Sequence, residues 1–209
     1  MKRYSIMPLL KSLTSYSIIL VIILSLVSGF IPTSTVRAAT YDLYVADTGD
    51  NASNDCSVSG TPCKTITYAL TQATSSSDTY VIHVAGGIYN QPLGESFPIT
   101  INGKNITIAG AGAEDTIIYG NNSARIFTLS GSSNVTMQNV KIWRGNAANG
   151  GGIYVDDGSS LSLSSVIMHS NIASGNGGAI YKTGSGSVTI SSSTFTQNNA
   201  ANGGAIYLT

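Results

Sequence analysis

The chain has 209 residues, 10 Lys+Arg and 10 Asp+Glu, so its formal net charge is zero; 10% of its residues are charged, against roughly 25% in an average soluble domain. A hydrophobic fraction of 42% with no charge run argues against disorder. The lack of a basic patch argues against a nucleic-acid partner. Two cysteines are too few for a structural zinc site or a dense disulfide scaffold.

Residues 1–38 read as a secretory signal. Lys2, Arg3 and Lys11 form a basic start, residues 18–27 are apolar, and Pro32 ends that run. Val36-Arg37-Ala38 places small residues where signal peptidase reads, so cleavage is predicted before Ala39. The apolar stretch 18–31 is 14 residues, short of the roughly 20 that span a bilayer. No membrane span is therefore expected after cleavage. The leader carries four of the basic residues and no acid, which leaves 6 basic and 10 acidic residues and a net charge near −4. The expected location is secreted, extracellular or at the cell surface.

Residues 39–78 read as an N-terminal strand, a disulfide loop and a capping helix. Tyr41-Asp-Leu-Tyr-Val-Ala46 alternates as a strand does. Asp47, Asp50 and Asp55 lie in an oxygen-rich loop with candidate Ca²⁺ spacing; a polar loop closed by Asx turns is the competing reading. No other cofactor is indicated. Cys56 and Cys63, seven apart in a turn-rich segment, are expected to bond in an oxidising compartment. After them Ile66, Ala69, Leu70 and Ala73 follow i, i+3, i+4, i+7, with Thr61 as the N-cap and Pro62 at the first helical position. Such a helix would cover the apolar end of the first coil of a repetitive region that begins at residue 79.

Residues 79–209 repeat. Asn149-Gly-Gly-Gly-Ile-Tyr154, Asn176-Gly-Gly-Ala-Ile-Tyr181 and Asn202-Gly-Gly-Ala-Ile-Tyr207 recur at spacings of 27 and 26. Alternating triplets run alongside: Ile106-Thr-Ile108, Val135-Thr-Met137, Leu161-Ser-Leu163 and Val188-Thr-Ile190. A third track is Val140-Lys-Ile142, Val166-Ile-Met168 and Ser193-Thr-Phe195. This period marks a solenoid. Three short strands per repeat, separated by Gly/Asn/Ser turns, predict an all-β, right-handed parallel β-helix of about five coils with a short N-terminal capping helix. Asn149, Asn176 and Asn202, with Asn171 and Asn198, are expected to stack as hydrogen-bonded ladders. Low charge fits, because like charges stacked at about 4.8 Å would repel. Thr209 falls in mid-coil with no cap after it, so missing C-terminal coils or a partner are expected.

Thr79-Tyr-Val-Ile-His-Val-Ala-Gly-Gly-Ile-Tyr89, Pro98-Ile-Thr-Ile101, Asn105-Ile-Thr-Ile-Ala-Gly-Ala-Gly112 and Thr116-Ile-Ile-Tyr-Gly120 resemble the opening coils of the pectin-lyase-like β-helix superfamily. Met168-His-Ser-Asn171 before Gly177-Gly-Ala-Ile180, and Phe195-Thr-Gln-Asn198 before Gly203-Gly-Ala-Ile206, are similar to the Phe-x-x-Asn and Gly-Gly-Ala-Ile repeats of polymorphic outer-membrane proteins. Ile142-Trp-Arg-Gly145 departs from that pattern. The resemblance implies the fold; these core and corner residues do not fix a function.

Catalytic chemistry finds little support. Gly110-Ala-Gly112 resembles a dinucleotide loop, but Thr116-Ile-Ile-Tyr continues as strand, so a coil corner is the better reading. Lyase chemistry needs clustered carboxylates and a base. In the clear repeats the acids are Asp156 and Asp157, and the cations Lys141, Arg144 and Lys182. Asp156 and Lys182, 26 apart, are placed as neighbours on adjacent coils, where a surface ion pair serves as well. His83 and His169 lack partner motifs and read as structural or exposed. Trp143, Arg144, Asp156 and Lys182 are candidate glycan contacts. Tyr154, Tyr181 and Tyr207 are either an outward stripe for sugar stacking or core, with core favoured. The expectation is a non-catalytic surface β-helix acting in adhesion, surface structure or binding of polysaccharide or cell-surface glycan. The competing reading is the N-terminal part of a polysaccharide lyase or glycosidase.

Overall fold

A computed structural model describes residues 37–209; the predicted leader falls almost wholly outside them. The chain enters through β1 (Thr40–Val45) and the helix α1 (Ile66–Gln72). β2 (Thr79–Val84), β3 (Gly87–Tyr89) and β4 (Ile99–Asn102) make the first coil. β5 (Asn105–Gly110), β6 (Thr116–Tyr119) and β7 (Phe127–Ser130) make the second. The third has β8 (Asn134–Gln138), β9 (Lys141–Trp143), β10 (Asn146–Ala147) and β11 (Ile153–Val155). The fourth has β12 (Ser160–Ser164), β13 (Ile167–His169), β14 (Ile172–Ala173) and β15 (Ile180–Lys182). β16 (Val188–Ser191), β17 (Thr194–Thr196) and β18 (Ile206–Leu208) close the fifth.

Each strand pairs in parallel with its copy one coil away. This builds a first sheet β1-β2-β5-β8-β12-β16, a second β3-β6-β9-β13-β17, a third β4-β7-β11-β15-β18 and a small β10-β14 pair. The described residues form a parallel β-solenoid of about five turns with one α-helix. The repeat spacing sets the register: Ile153 faces Ile180, which faces Ile206. Alternation then sends one residue in two inward. Ile106, Val135 and Leu161 form one buried column, and Ile99, Phe127, Ile153 and Ile180 another. Fully burying each such side chain contributes about 1.5–3 kcal/mol. Burial falls off at the fifth coil, where Ile190 is 38% and Leu208 57% exposed.

Corners are set by backbone shape. Gly151 is required by crowding, since a Cβ there would collide with the Ile172 carbonyl oxygen. Positive φ is not reserved for Gly and Asn. Arg144, Ser170 and Gln197, at matching corners one coil apart, have φ of 55°, 51° and 55°.

The helix begins later than its sequence pattern predicts. Thr65, not Thr61, is the N-cap, accepting from the Tyr68 N–H. Residues 61–64 stay out of the helix because Cys63 bridges β1: its N–H donates to the Tyr44 carbonyl, and its carbonyl accepts from Ala46. The buried Glu95 carboxylate, beyond β3, accepts from the Ile66 N–H at 2.6 Å and the Thr67 N–H at 3.0 Å, so a second coil element caps the same helix start. Burial pushes the Glu95 carboxyl up, against the pull of its hydrogen bonds.

Cys56 and Cys63 are disulfide-bonded and fully buried. Changing both to serine is expected to lower stability by about 2–3 kcal/mol, the loop-closure value for this short ring. Urea unfolding of the double variant measures it, and dithiothreitol should reproduce the loss in the unaltered chain.

Candidate functional site

The three outward faces differ in chemistry. The first sheet presents hydroxyls and amides, with Thr107, Thr136 and Ser162 in one column. The third sheet presents tyrosines. Tyr154 and Tyr181 lie 5.5 Å apart between ring centroids, and Tyr181 and Tyr207 5.8 Å. The favoured core reading of these tyrosines is therefore corrected. Ile153 and Val155 take the inward positions on either side of Tyr154, so alternation turns the ring outward. Arg125 lies 4.7 Å over the Tyr154 ring and donates to the Gly150 and Asn149 carbonyls. Burial lowers the pKa of its guanidinium.

The second sheet carries the most concentrated aromatic surface. Tyr119, Trp143 and His169 occupy one outward column on β6, β9 and β13. Their ring centroids are 4.8 Å apart for Tyr119–Trp143 and 6.3 Å for Trp143–His169. The positive φ of Arg144 turns the chain at the end of β9, and its guanidinium rests 5.1 Å over the indole. On the other flank the Lys141 ammonium is 5.9 Å from the same ring and 2.9 Å from the Glu114 carboxylate. The Trp143 indole N–H is buried without a hydrogen-bond partner among the described residues. Ile117, Lys141 and Ile167 form the neighbouring outward column. A half-buried indole between two other rings, flanked by two cations, offers flat apolar area with polar donors at its rim.

Trp143 and Arg144 are thus brought together; Asp156 and Lys182 are not. The register pairs Lys182 with Val155, one residue from the alignment predicted. A one-residue slip exchanges faces, so Lys182 points inward, 3% exposed, in the core column after Leu129 and Val155. Its ammonium donates to the Thr183, Gly184 and Ser185 carbonyls. Asp156 and Asp157 sit in the turn after β11, where Asp157 accepts from the Ser185 N–H and hydroxyl at 2.7 Å. Those two bonds hold its carboxyl below the usual range.

The asparagines form cross-coil bonds. The Asn149 carboxamide oxygen accepts from the Asn176 N–H, and the Asn202 amide donates to Asn176 Oδ1. Asn171, wholly buried, donates to Asn198 Oδ1 and to the Ile142 carbonyl and accepts from the Gly145 N–H.

In the acidic loop, Asp50 accepts from the Ala52 N–H, and Asp55 from the Ser57 N–H and hydroxyl. Asn54 donates to three carbonyls. This is Asx-turn chemistry. Among the described residues, no three His, Cys, Asp or Glu side chains group as metal ligands.

Sequence reasoning missed Tyr119, His169 and Lys141 as members of the site. Tyr119, Trp143 and His169 are 24 and 26 apart, so the coil spacing itself was the signal. It was masked because three different residue types fill equivalent rungs.

The fold and this surface define a parallel β-solenoid that displays aromatic ladders on its outer faces. A family described as a protein of unknown function (DUF1565) matches residues 47–207, and the chain belongs to it. Neither a curated protein nor a solved structure matches the chain.

Proposed function

We propose that this is an exported, non-catalytic β-helix that binds glycans along the Tyr119–Trp143–His169 column. The observation that carries the reading is the half-buried indole, tilted by about 40° against a ring on either side and flanked by Arg144 and Lys141. Sugar rings present C–H faces that suit such a surface, while their hydroxyls meet donors at its edge. The rungs rise along the solenoid axis, which suits an extended polymer lying parallel to it. Asp156 and Asp157 are held in a turn, and Lys182 is in the core, which supports binding rather than lyase chemistry in these coils. Placement in the pectin-lyase-like superfamily, with polymorphic outer-membrane-protein-type repeats, belongs to the same proposal. Export is supported by the leader pattern and by the disulfide. Among the described residues no helix is long and apolar enough to cross a membrane.

The test is isothermal titration of soluble polysaccharides and their oligomers into the mature chain and Trp143→Ala. Binding is expected, with a loss of at least tenfold in the variant, which stays folded with a modest fall in unfolding midpoint from its lost ring contacts, each about 0.5–1.5 kcal/mol. Equal affinity in both proteins refutes the reading.

A further inference from the structure

One outward column of the first sheet runs Tyr44, His83, Ala109, Gln138. Tyr44 and His83 stack with centroids 5.0 Å apart and planes 17° apart. The stack then stops. Ala109 stands where the next ring would be, and Gln138 resumes the column one coil further. Strands lie about 4.8 Å apart, so His83 and Gln138 flank a gap of about 9.6 Å. A flat ring sandwiched at contact distance on both sides needs about 7–8 Å; the surplus suits a puckered ring.

An open groove of about 300 Å³ reaches Ala109 from the His83 side, lined among others by Tyr44, His83, Ala109, Ser59 and Pro62 and not by Gln138. Most of its surface is apolar carbon, and neither Lys nor Arg lines it. The disulfide loop supplies Ser59 and Pro62 as one wall. Asp42 Oδ1 lies 2.8 Å from His83 Nε2 and fixes the imidazole from outside the groove, since Asp42 lines a neighbouring groove instead. His83 Nδ1 has no partner among the described residues. No Lys or Arg is there to pair with an anionic ring; a neutral ring with hydroxyls finds the Ser59 hydroxyl and the open Nδ1 edge of His83.

We propose that the Ala109 gap is a subsite for one neutral pyranose ring, stacked on the His83 imidazole, with its hydroxyls directed to Ser59 and the open His83 Nδ1. The inference rests on the glycan reading for its ligand class, but it concerns a different sheet and the first coils. Ala109 is the residue that makes the space, and the missing rung is the site.

The test titrates methyl glycosides of glucose, galactose, mannose and N-acetylglucosamine, with glucuronate as the anionic control, into the isotopically labelled mature chain. Resonances of His83 and the Ala109 methyl are followed. At least one neutral ring should shift both saturably, and glucuronate should bind at least tenfold more weakly. Ala109→Phe, which fills the gap at an outward position, should abolish the shifts, and His83→Ala should weaken binding at least tenfold. Ala109→Ser should keep it, as should Trp143→Ala. No shift with any neutral ring, equal binding by glucuronate, or undiminished binding in His83→Ala overturns the inference. Polymer binding that survives Trp143→Ala, with the Ala109 shifts intact, sinks the ladder reading alone.

Discussion

Phe127→Ala is expected to lower the unfolding free energy by about 3–5 kcal/mol, a fall of about 6–20 °C in midpoint for a domain of this size. Phe127 is wholly buried and stands in a column between Ile99 and Ile153. Truncation removes its transfer energy and leaves a void that neighbours on rigid, paired strands cannot collapse to fill. The same column reaches Ile206 in the fifth coil, which is only half-buried. Ile206→Ala should therefore cost far less. Urea unfolding of both variants checks the pair, and equal losses would contradict the placement of the core.

Asn171→Leu should cost about 2–4 kcal/mol although it adds apolar volume. The carboxamide satisfies the Gly145 N–H at 2.9 Å and the Ile142 carbonyl at 3.0 Å, both inside the wall. Leucine orphans the Gly145 N–H, at about 1–3 kcal/mol for a buried unsatisfied group, and removes the added bonds to the Ile142 carbonyl and Asn198 Oδ1. Asn171→Asp is the sharper variant. It keeps the acceptor for Gly145 but turns a carboxylate oxygen toward the Ile142 carbonyl and Asn198 Oδ1. Its loss should shrink as the pH falls and the carboxyl is protonated, while that of Asn171→Leu should not. Parallel losses across pH would show that the carboxamide bonds do not hold this corner.

Much of the fold was legible because its period survives in the residues themselves. The Ile153, Ile180 and Ile206 spacing became the register of the third sheet, and the alternating triplets became the inward positions of the first and second. What failed was decided by contacts between distant segments. Thr61 and Pro62 have the local chemistry of a helix start, yet the Cys63 bridge to β1 keeps that stretch out of the helix. Lys182 was placed outside by a count off by one residue. The tyrosines were left between an outward stripe and the core, with core favoured; their face is set by parity against Ile153, Ile180 and Ile206. Low charge was legible with its cause: two outward columns of the first sheet stack Asn105, Asn134 and Ser160, and Thr107, Thr136, Ser162 and Thr189, all uncharged. The binding surface was the least legible part, since a ladder of unlike rungs, Tyr119, Trp143 and His169, leaves no repeated letter to find.

The stacked architecture also explains how a chain with so little charge can present distinct surfaces. Each sheet turns one column set outward, so a single residue type per coil position sets the chemistry of a whole face. The first face is polar, the second aromatic and cationic, the third tyrosine-rich. Substitution at one rung alters one face without entering the core, which makes the binding claim separable from stability.

The most direct measurement is a crystal structure of the mature chain grown with an oligosaccharide selected by titration. The account predicts sugar rings packed on the Trp143 indole with polar contacts to Arg144 or Lys141, the chain of rings running along the solenoid axis past Tyr119 and His169. Sugar bound elsewhere, with the Tyr119–Trp143–His169 column bare, would contradict it.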